Sequence, residues 1–146
     1  MSGFLLDTNI PSEVLRPLPN ANVVAWLKRQ SRDSLFLSVV TIGELRKGAT
    51  LLPQSARRAQ LEELIEVLVP WWFAGRILPV TQAIADSWGV LDGQRQLAGR
   101  PLGMADGMIA ATALEHGLTL VTRNVKDFAG LPVTIVNPWD ATSPAT

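Results

Sequence analysis

The chain has 146 residues, 47% of them hydrophobic and 18% charged, with 13 basic side chains against 13 acidic ones and no cysteine. That is the size and composition of one packed domain, and it excludes a disordered chain. The lack of cysteine excludes disulfides, thiolate metal ligands and a cysteine nucleophile, and zero net charge excludes the generally basic surface of a protein that coats duplex nucleic acid.

The opening Met1-Ser2-Gly3-Phe4-Leu5-Leu6-Asp7 lacks the basic and long apolar regions of a signal peptide. Residues 3–6 form an apolar run ending at Asp7 and read as a buried strand. Thr8 or Asn9 is placed to cap a short helix to Leu15, which the breaker cluster Arg16-Pro17-Leu18-Pro19-Asn20 ends. Val23, Val24, Trp26 and Leu27 suggest a second helix, ending near Gln30. Residues 35–40 are the next strand. Thr41-Ile42-Gly43-Glu44 fits a capping box, with Thr41 as N-cap of a helix that stops before Pro53. Residues 56–69 carry Leu61, Leu64, Ile65 and Leu68 on one helical face. The most apolar stretch, residues 67–75, contains Pro70 and is far shorter than the about 20 residues that span a bilayer. The expectation is a cytoplasmic protein with no membrane contact.

Further on, residues 77–80 are extended, and Thr81 starts a helix carrying Ile84, Ala85, Trp88 and Leu91. A loop over 99–103 leads to a helix from Met104 or Ala105 to His116, with Gly117 as its terminator. Residues 118–121 and 133–136 are two more strands. One domain is expected over residues 1–139, followed by a flexible tail over 140–146. Strands separated by helices indicate an α/β fold with a mainly parallel sheet.

In such sheets ligands bind beyond the carboxyl ends of the strands. Asp7 directly follows the first strand. Glu44 falls in the first turn of the helix after the second, and Asp106 in the first turn of the late helix. Thr122, Arg123 and Asn124 directly follow strand 118–121, with Asp127 just beyond. Each has a plainer role when taken alone: Asp7 as a turn residue, Glu44 in its capping box, Asp106 against the helix dipole, Asp127 as a solvated loop residue. Together they place acids at several strand ends on one edge, where like charges repel unless a cation joins them. Oxygen ligands alone, with the single histidine, His116, remote at a helix end, favour Mg²⁺ or Mn²⁺ over Zn²⁺. Gly99, Gly103 and Gly107 make no phosphate-binding loop. Arg46, Lys47, Arg123 and Lys126 flank the acids and are candidates for phosphate contacts. Trp71-Trp72-Phe73 reads as core or interface packing, and five tryptophans exceed what one small core readily hides.

Four blocks carry a family resemblance: Leu5-Leu6-Asp7-Thr8-Asn9; Ser38-Val39-Val40-Thr41-Ile42-Gly43-Glu44-Leu45; Ala105-Asp106-Gly107-Met108-Ile109-Ala110-Ala111-Thr112-Ala113; and Leu120-Val121-Thr122-Arg123-Asn124-Val125-Lys126-Asp127-Phe128. In this order and spacing they resemble the motifs of PIN domains, above all the VapC-type toxins of bacterial toxin–antitoxin pairs and their FitB-like branch, which Asn137-Pro138-Trp139 also resembles. The resemblance implies a Rossmann-like α/β/α sandwich, Mg²⁺- or Mn²⁺-dependent cleavage of RNA, a homodimer, and a cognate antitoxin. It carries the family's acidic positions onto Asp7, Glu44 and Asp106. The fourth position, often Asp, is Asn124 here, so Asp127 is the alternative source of that charge, or the site works with three acids. Thr122 matches a hydroxyl that orders the site.

The expected activity is therefore hydrolysis of RNA phosphodiester bonds. Asp7, Glu44, Asp106, Asn124 and Thr122 form the catalytic set, and Asp7, Asp106, Glu44 and Asp127 hold the metal. A rival reading makes the chain a subunit of a DNA-binding toxin–antitoxin complex that acts at its own promoter through its partner. A phospho-acceptor receiver domain is a third small α/β class, but Asp7-Thr8-Asn9 and Thr122-Arg123-Asn124 do not supply its acids and lysine.

Overall fold

Short apolar runs, all but the last followed by a helix, build a parallel sheet. The computed structural model describes residues 3–140. Its strands are β1 (Phe4–Leu6), β2 (Leu35–Ser38), β3 (Ile77–Leu78), β4 (Thr119–Val121) and β5 (Ile135–Val136). Every pairing is parallel, in the order β3-β2-β1-β4-β5. The chain steps outward from β1 to β3, then returns to lay β4 on the other side of β1. A switch point therefore lies between the carboxyl ends of β1 and β4.

Alternation along the strands feeds two cores. Phe4, Leu6 and Val121 face one, and Leu5 and Leu120 the other. The first is covered by α1 (Asn9–Val14), α2 (Ala21–Arg29), α3 (Val39–Leu51), α4 (Ala56–Glu63) and α5 (Val69–Trp72). Trp26 of α2 fills it, edge-on to Phe4 at 4.9 Å between ring centroids. The second core is covered by α6 (Gln82–Leu97), α7 (Met104–His116) and α8 (Val125–Phe128). Ala110, Ala111 and Ala113 of α7 are fully buried, small enough for the helix to lie close on the sheet. The result is the expected α/β/α sandwich.

Local signals explain most helix ends. Asn20, last of the breaker cluster, caps α2 by accepting from the N–H groups of Asn22 (2.9 Å) and Val23 (3.3 Å). Ser55 and Thr81 cap α4 and α6, and Gly117 ends α7 at φ 64°. Four expectations change. First, β2 stops at Ser38, because its hydroxyl accepts from the Val40 N–H (3.0 Å) and starts α3 there. Thr41 then lies inside the helix, fully buried, and there is no capping box; Glu44 sits in the second turn. Second, the helix expected over 56–69 runs on to Trp72 through a π-helical turn at Leu64–Leu68, just ahead of Pro70. Third, Thr8 gives α1 no side-chain cap. Fourth, Asp127, expected in a loop or as a cap, lies inside the short helix α8. Residues 141–146 of the expected tail lie outside the described residues. Among the described residues, no helix is long and apolar enough to cross a membrane.

Helices α6 and α7 approach closely where Trp88 meets Gly107. A Cβ on Gly107 would stand 2.6 Å from Trp88 Cδ1 and 2.8 Å from its Nε1. Gly107 directly follows Asp106, so this contact sets the first turn of α7. Gly107→Ala is expected to cost about 1–3 kcal/mol of stability through overpacking. The check is urea unfolding: the midpoint should fall at unchanged slope. A parental midpoint would mean that Trp88 steps aside freely.

Candidate active site

Asp7 leaves β1 at the switch point and is buried, 3% exposed. Its backbone N–H still bonds Val121 O at 2.9 Å, so the ladder between β1 and β4 continues through it. One carboxylate oxygen, Oδ2, accepts from the Thr122 hydroxyl at 2.7 Å; the other, Oδ1, accepts from the Thr8 N–H at 2.8 Å. Thr122, fully buried after β4, accepts in turn from the Asn124 N–H (3.0 Å) and the Asn9 amide (3.3 Å). Asn9 also reaches Asp7 Oδ2 at 3.4 Å. The two loops that follow β1 and β4 are thus one bonded unit.

Glu44 joins from α3. The Thr8 hydroxyl lies 2.5 Å from Glu44 Oε1 and 3.3 Å from Thr41 Oγ1. A hydroxyl has one proton to give. The short contact takes it, so Thr8 donates to the carboxylate and accepts from Thr41. Here Thr41 and Glu44, three positions apart in the same motif, serve the end of β1 instead of their own helix end.

Electrostatics place the remaining acids. Burial raises the pKa of Asp7 above its ordinary 3.8; bonds from Thr122 and the Thr8 N–H oppose this, and the charges of Glu44 and Asp127 add to it. Asp106, half-buried in the first turn of α7, is pushed up to about 6 by burial and then by the charges of Asp7, Glu44 and Asp127. The four acids therefore share one field. Asp127 contributes to it from an exposed position, whereas Asn124 enters through its backbone N–H. Arg46 does not belong to the site: it pairs with Glu66 at 3.5 Å and Glu62 at 4.0 Å. The sequence reading also missed Thr8, Thr41 and Asn9. Their signal was a hydroxyl or amide beside each acid, masked by the capping-box pattern.

Among the described residues, no three His, Asp or Glu side chains stand close enough to make a closed coordination set. The donors still fit a hard divalent ion. Mg²⁺ is commonly held by one or two carboxylates, with waters and substrate phosphate completing its shell. Two raised carboxyls, with oxygen donors only around them, match that partial set.

The raised Asp106 has a measurable consequence. Its folded-state pKa of about 6 exceeds the ordinary 3.8, so the folded chain holds a proton that the unfolded chain has already lost. Ionisation of Asp106 destabilises the fold above that value, and the penalty vanishes below the ordinary one. In the absence of divalent ions, Asp106→Asn is expected to unfold at higher urea than the parent at about pH 7.5, with the gap closing by about pH 4. A gap that is constant with pH would remove Asp106 from the shared field.

The sequence matches the PIN domain family over residues 4–132. It is 42% identical over 136 residues to the toxin FitB of Neisseria gonorrhoeae, covering 93% of this chain and 98% of that protein. It is 38% identical over 137 residues to the VapC ribonuclease Y4jK of Sinorhizobium fredii, covering 94% and 98%. The crystal structure of FitAcB from Neisseria gonorrhoeae aligns with a TM-score of 0.85 at 41% identity, covering 93% of this chain and 98% of that one. The structure of FitAB bound to an IR36 DNA fragment aligns equally well, at 0.85 and 39%, covering 94% and 96%. Matching in sequence, in fold and in the order of its acidic blocks, the chain belongs to the PIN-domain family, among relatives of the FitB and VapC toxins.

Proposed function

We propose that the chain is an endoribonuclease dependent on Mg²⁺ or Mn²⁺, acting as the toxin of a toxin–antitoxin pair. The observation that carries this reading is the buried Asp7 carboxylate, held by Thr122 and the Thr8 N–H at the switch point, with Glu44 tied beside it through Thr8 and the charge of Asp106 felt there. Ribonucleases of the family are generally dependent on a divalent metal. Such an ion, when bound, supplies Lewis acidity and offsets negative charge on the reacting phosphate.

The chain's own residues prepare for this. Asp7 and Asp106 would hold the ion, with Glu44 and Asp127 adding negative charge. Thr122 keeps Asp7 Oδ2 in place, and Thr8 keeps Glu44 Oε1 in place. Glu44 then suits the role of accepting a proton from the attacking water, since it is fixed but not buried. Asn124 supports Thr122 through its N–H. A second role, as a subunit of a promoter-binding complex, has support from the DNA-bound relative FitAB. With zero net charge, the DNA contacts would belong to the partner.

Calorimetric titration with Mn²⁺ and cleavage of a defined single-stranded RNA test the site together. Asp7→Asn and Asp106→Asn should each weaken Mn²⁺ binding by at least about tenfold and abolish cleavage. Asp127→Asn should weaken binding less than either. Parental Mn²⁺ binding in both of the first two variants would sink the metal assignment. A loss in Asn124→Ala with none in Asp127→Asn would move the fourth position to Asn124.

The expected assembly is a homodimer that also binds an antitoxin. The tryptophans support the dimer less than their number suggested. Trp26 is buried, Trp72, Trp88 and Trp139 are partly buried, and Trp71 alone is largely exposed, at 66%. Trp71 lines an apolar groove of about 560 Å³ together with Leu68, Val69, Leu6 and Ile10. Leu6 directly precedes Asp7, although none of the four acids lines the groove. Its exposed apolar wall suits an apolar segment of a protein partner, and we assign it to the antitoxin. By sedimentation at micromolar concentration, the parent and Trp71→Glu should both be dimers, and only the variant should fail to bind the antitoxin. A monomeric parent overturns the dimer. Parental affinity of the variant for the antitoxin overturns the groove assignment.

A further inference from the structure

Most arginines with a fixed side chain have found a partner within the chain. Arg16, Arg46 and Arg58 meet carboxylates, and Arg32, Arg76 and Arg95 meet backbone carbonyls. Arg123 differs. Its guanidinium lies over the Trp139 ring, 5.4 Å from the centroid, and makes no bond to a carboxylate or carbonyl among the described residues. It is nevertheless anchored. Its N–H reaches Asn9 Oδ1 at 3.5 Å, and the preceding residue, Thr122, donates to Asp7. Trp139 is anchored as well: its carbonyl accepts from the Asn22 amide at 3.0 Å, and its N–H donates to Asn137 Oδ1 at 3.0 Å. Its ring packs against the first core.

A guanidinium resting on an aromatic face keeps its N–H donors in its own plane, available to an anion. We infer that Arg123, seated on Trp139, binds a phosphate of the RNA backbone beside the linkage that is cleaved. This rests on the ribonuclease reading above. The need is electrostatic. The acidic cluster repels a polyanion, and a chain of zero net charge offers no general attraction to offset that. A cation one residue from the Asp7–Thr122 bond supplies the attraction locally. Lys126 and Lys47 are exposed nearby in sequence, but neither has a ring to hold it. Ordering them on binding would cost entropy that Arg123 has already lost.

The test uses a fluorescein-labelled single-stranded RNA of mixed sequence, with binding read by anisotropy in EDTA and cleavage read with Mn²⁺. Arg123→Gln should weaken binding about tenfold, the worth of one charge-assisted hydrogen bond. The slope of log Kd against log salt should shrink by about 0.7, as for one phosphate on a single strand. KM should rise about tenfold and kcat fall less than about threefold. Trp139→Leu should weaken binding severalfold, and Trp139→Phe should restore most of it. Circular dichroism melting separates these effects from unfolding. Parental Kd, salt slope and KM in Arg123→Gln, with the parent cleaving RNA, would overturn the role of Arg123 and leave the ribonuclease reading standing. A parent that neither binds nor cleaves RNA would overturn both. Unchanged RNA binding with weakened antitoxin binding would assign the guanidinium to the protein partner and overturn the inference.

Discussion

The hydrogen bond from the Thr122 hydroxyl to Asp7 Oδ2, 2.7 Å long, ties together the two strand ends between which the sheet reverses its order. It exists because β1 and β4 are neighbours in register, with Leu6 opposite Val121, so that the residues leaving each strand meet. Burial alone would favour a protonated Asp7. The hydroxyl and the Thr8 N–H oppose that, though the balance still lies above the ordinary value. The carboxyl is therefore held in place before any ligand arrives. Through Thr122 the bond extends to Asn9 and Asn124, and through Asn9 to Arg123. Loops that would otherwise move separately are ordered by one buried acid.

The packing beneath explains why the arrangement holds. Alanines on α7 let that helix lie close on the sheet, and Gly107 admits Trp88 where any larger residue would collide. Asp106 begins its helix from a fixed position as a result. Glu44 arrives by a different route, on a helix whose cap, Ser38, is the last residue of β2. Three helices and two strands thus converge on the cluster. A shift in any of them of the size that a misplaced methyl group demands would be felt there, because close-packed interiors transmit strain.

How much of this could be read from sequence depended on range. Asp7 follows its strand by one residue, and Asp106 opens its helix, so local pattern sufficed for both. The parallel sheet followed from the alternation of elements. Glu44 was picked out by its place after the second strand and by the motif resemblance, but its plainer capping-box reading fails. Thr41 and Glu44 have capping-box spacing, yet Ser38 takes the cap, and Thr41 and Glu44 both meet the Thr8 hydroxyl, across separations of 33 and 36 residues. No local pattern reports such a contact. The tryptophan count failed as an argument for an interface for a similar reason. Trp88 finds a glycine, Trp72 lies under Arg32 and Arg76, and Trp139 lies under Arg123, none of them sequence neighbours. Arg46 was placed at the site by adjacency to Glu44, but helical geometry turns successive residues to different faces, and it pairs with α4 and the π-helical turn instead.

Net charge was informative in a way that the total conceals. Thirteen charges of each sign cancel over the chain, but they do not cancel at the switch point, where four acids share one field and burial strengthens their repulsion. The folded chain carries that repulsion as a standing cost, and any cation entering the cleft relieves it. A divalent ion would do so, and so would a guanidinium presented by a bound protein, which matches carboxylates in a two-pronged fork. The two cannot occupy the same oxygens together. On the proposed reading, activity and inhibition would be alternative answers to one electrostatic problem, set by the burial of Asp7 beside other acids. Arg123 makes no bond to these acids among the described residues; its guanidinium lies over the Trp139 ring instead. Had it paired with Asp7 or Asp106, it would have neutralised the very field that attracts the ion. The ring beneath it holds the cation without drawing on the carboxylates, which leaves it available to the phosphate proposed above.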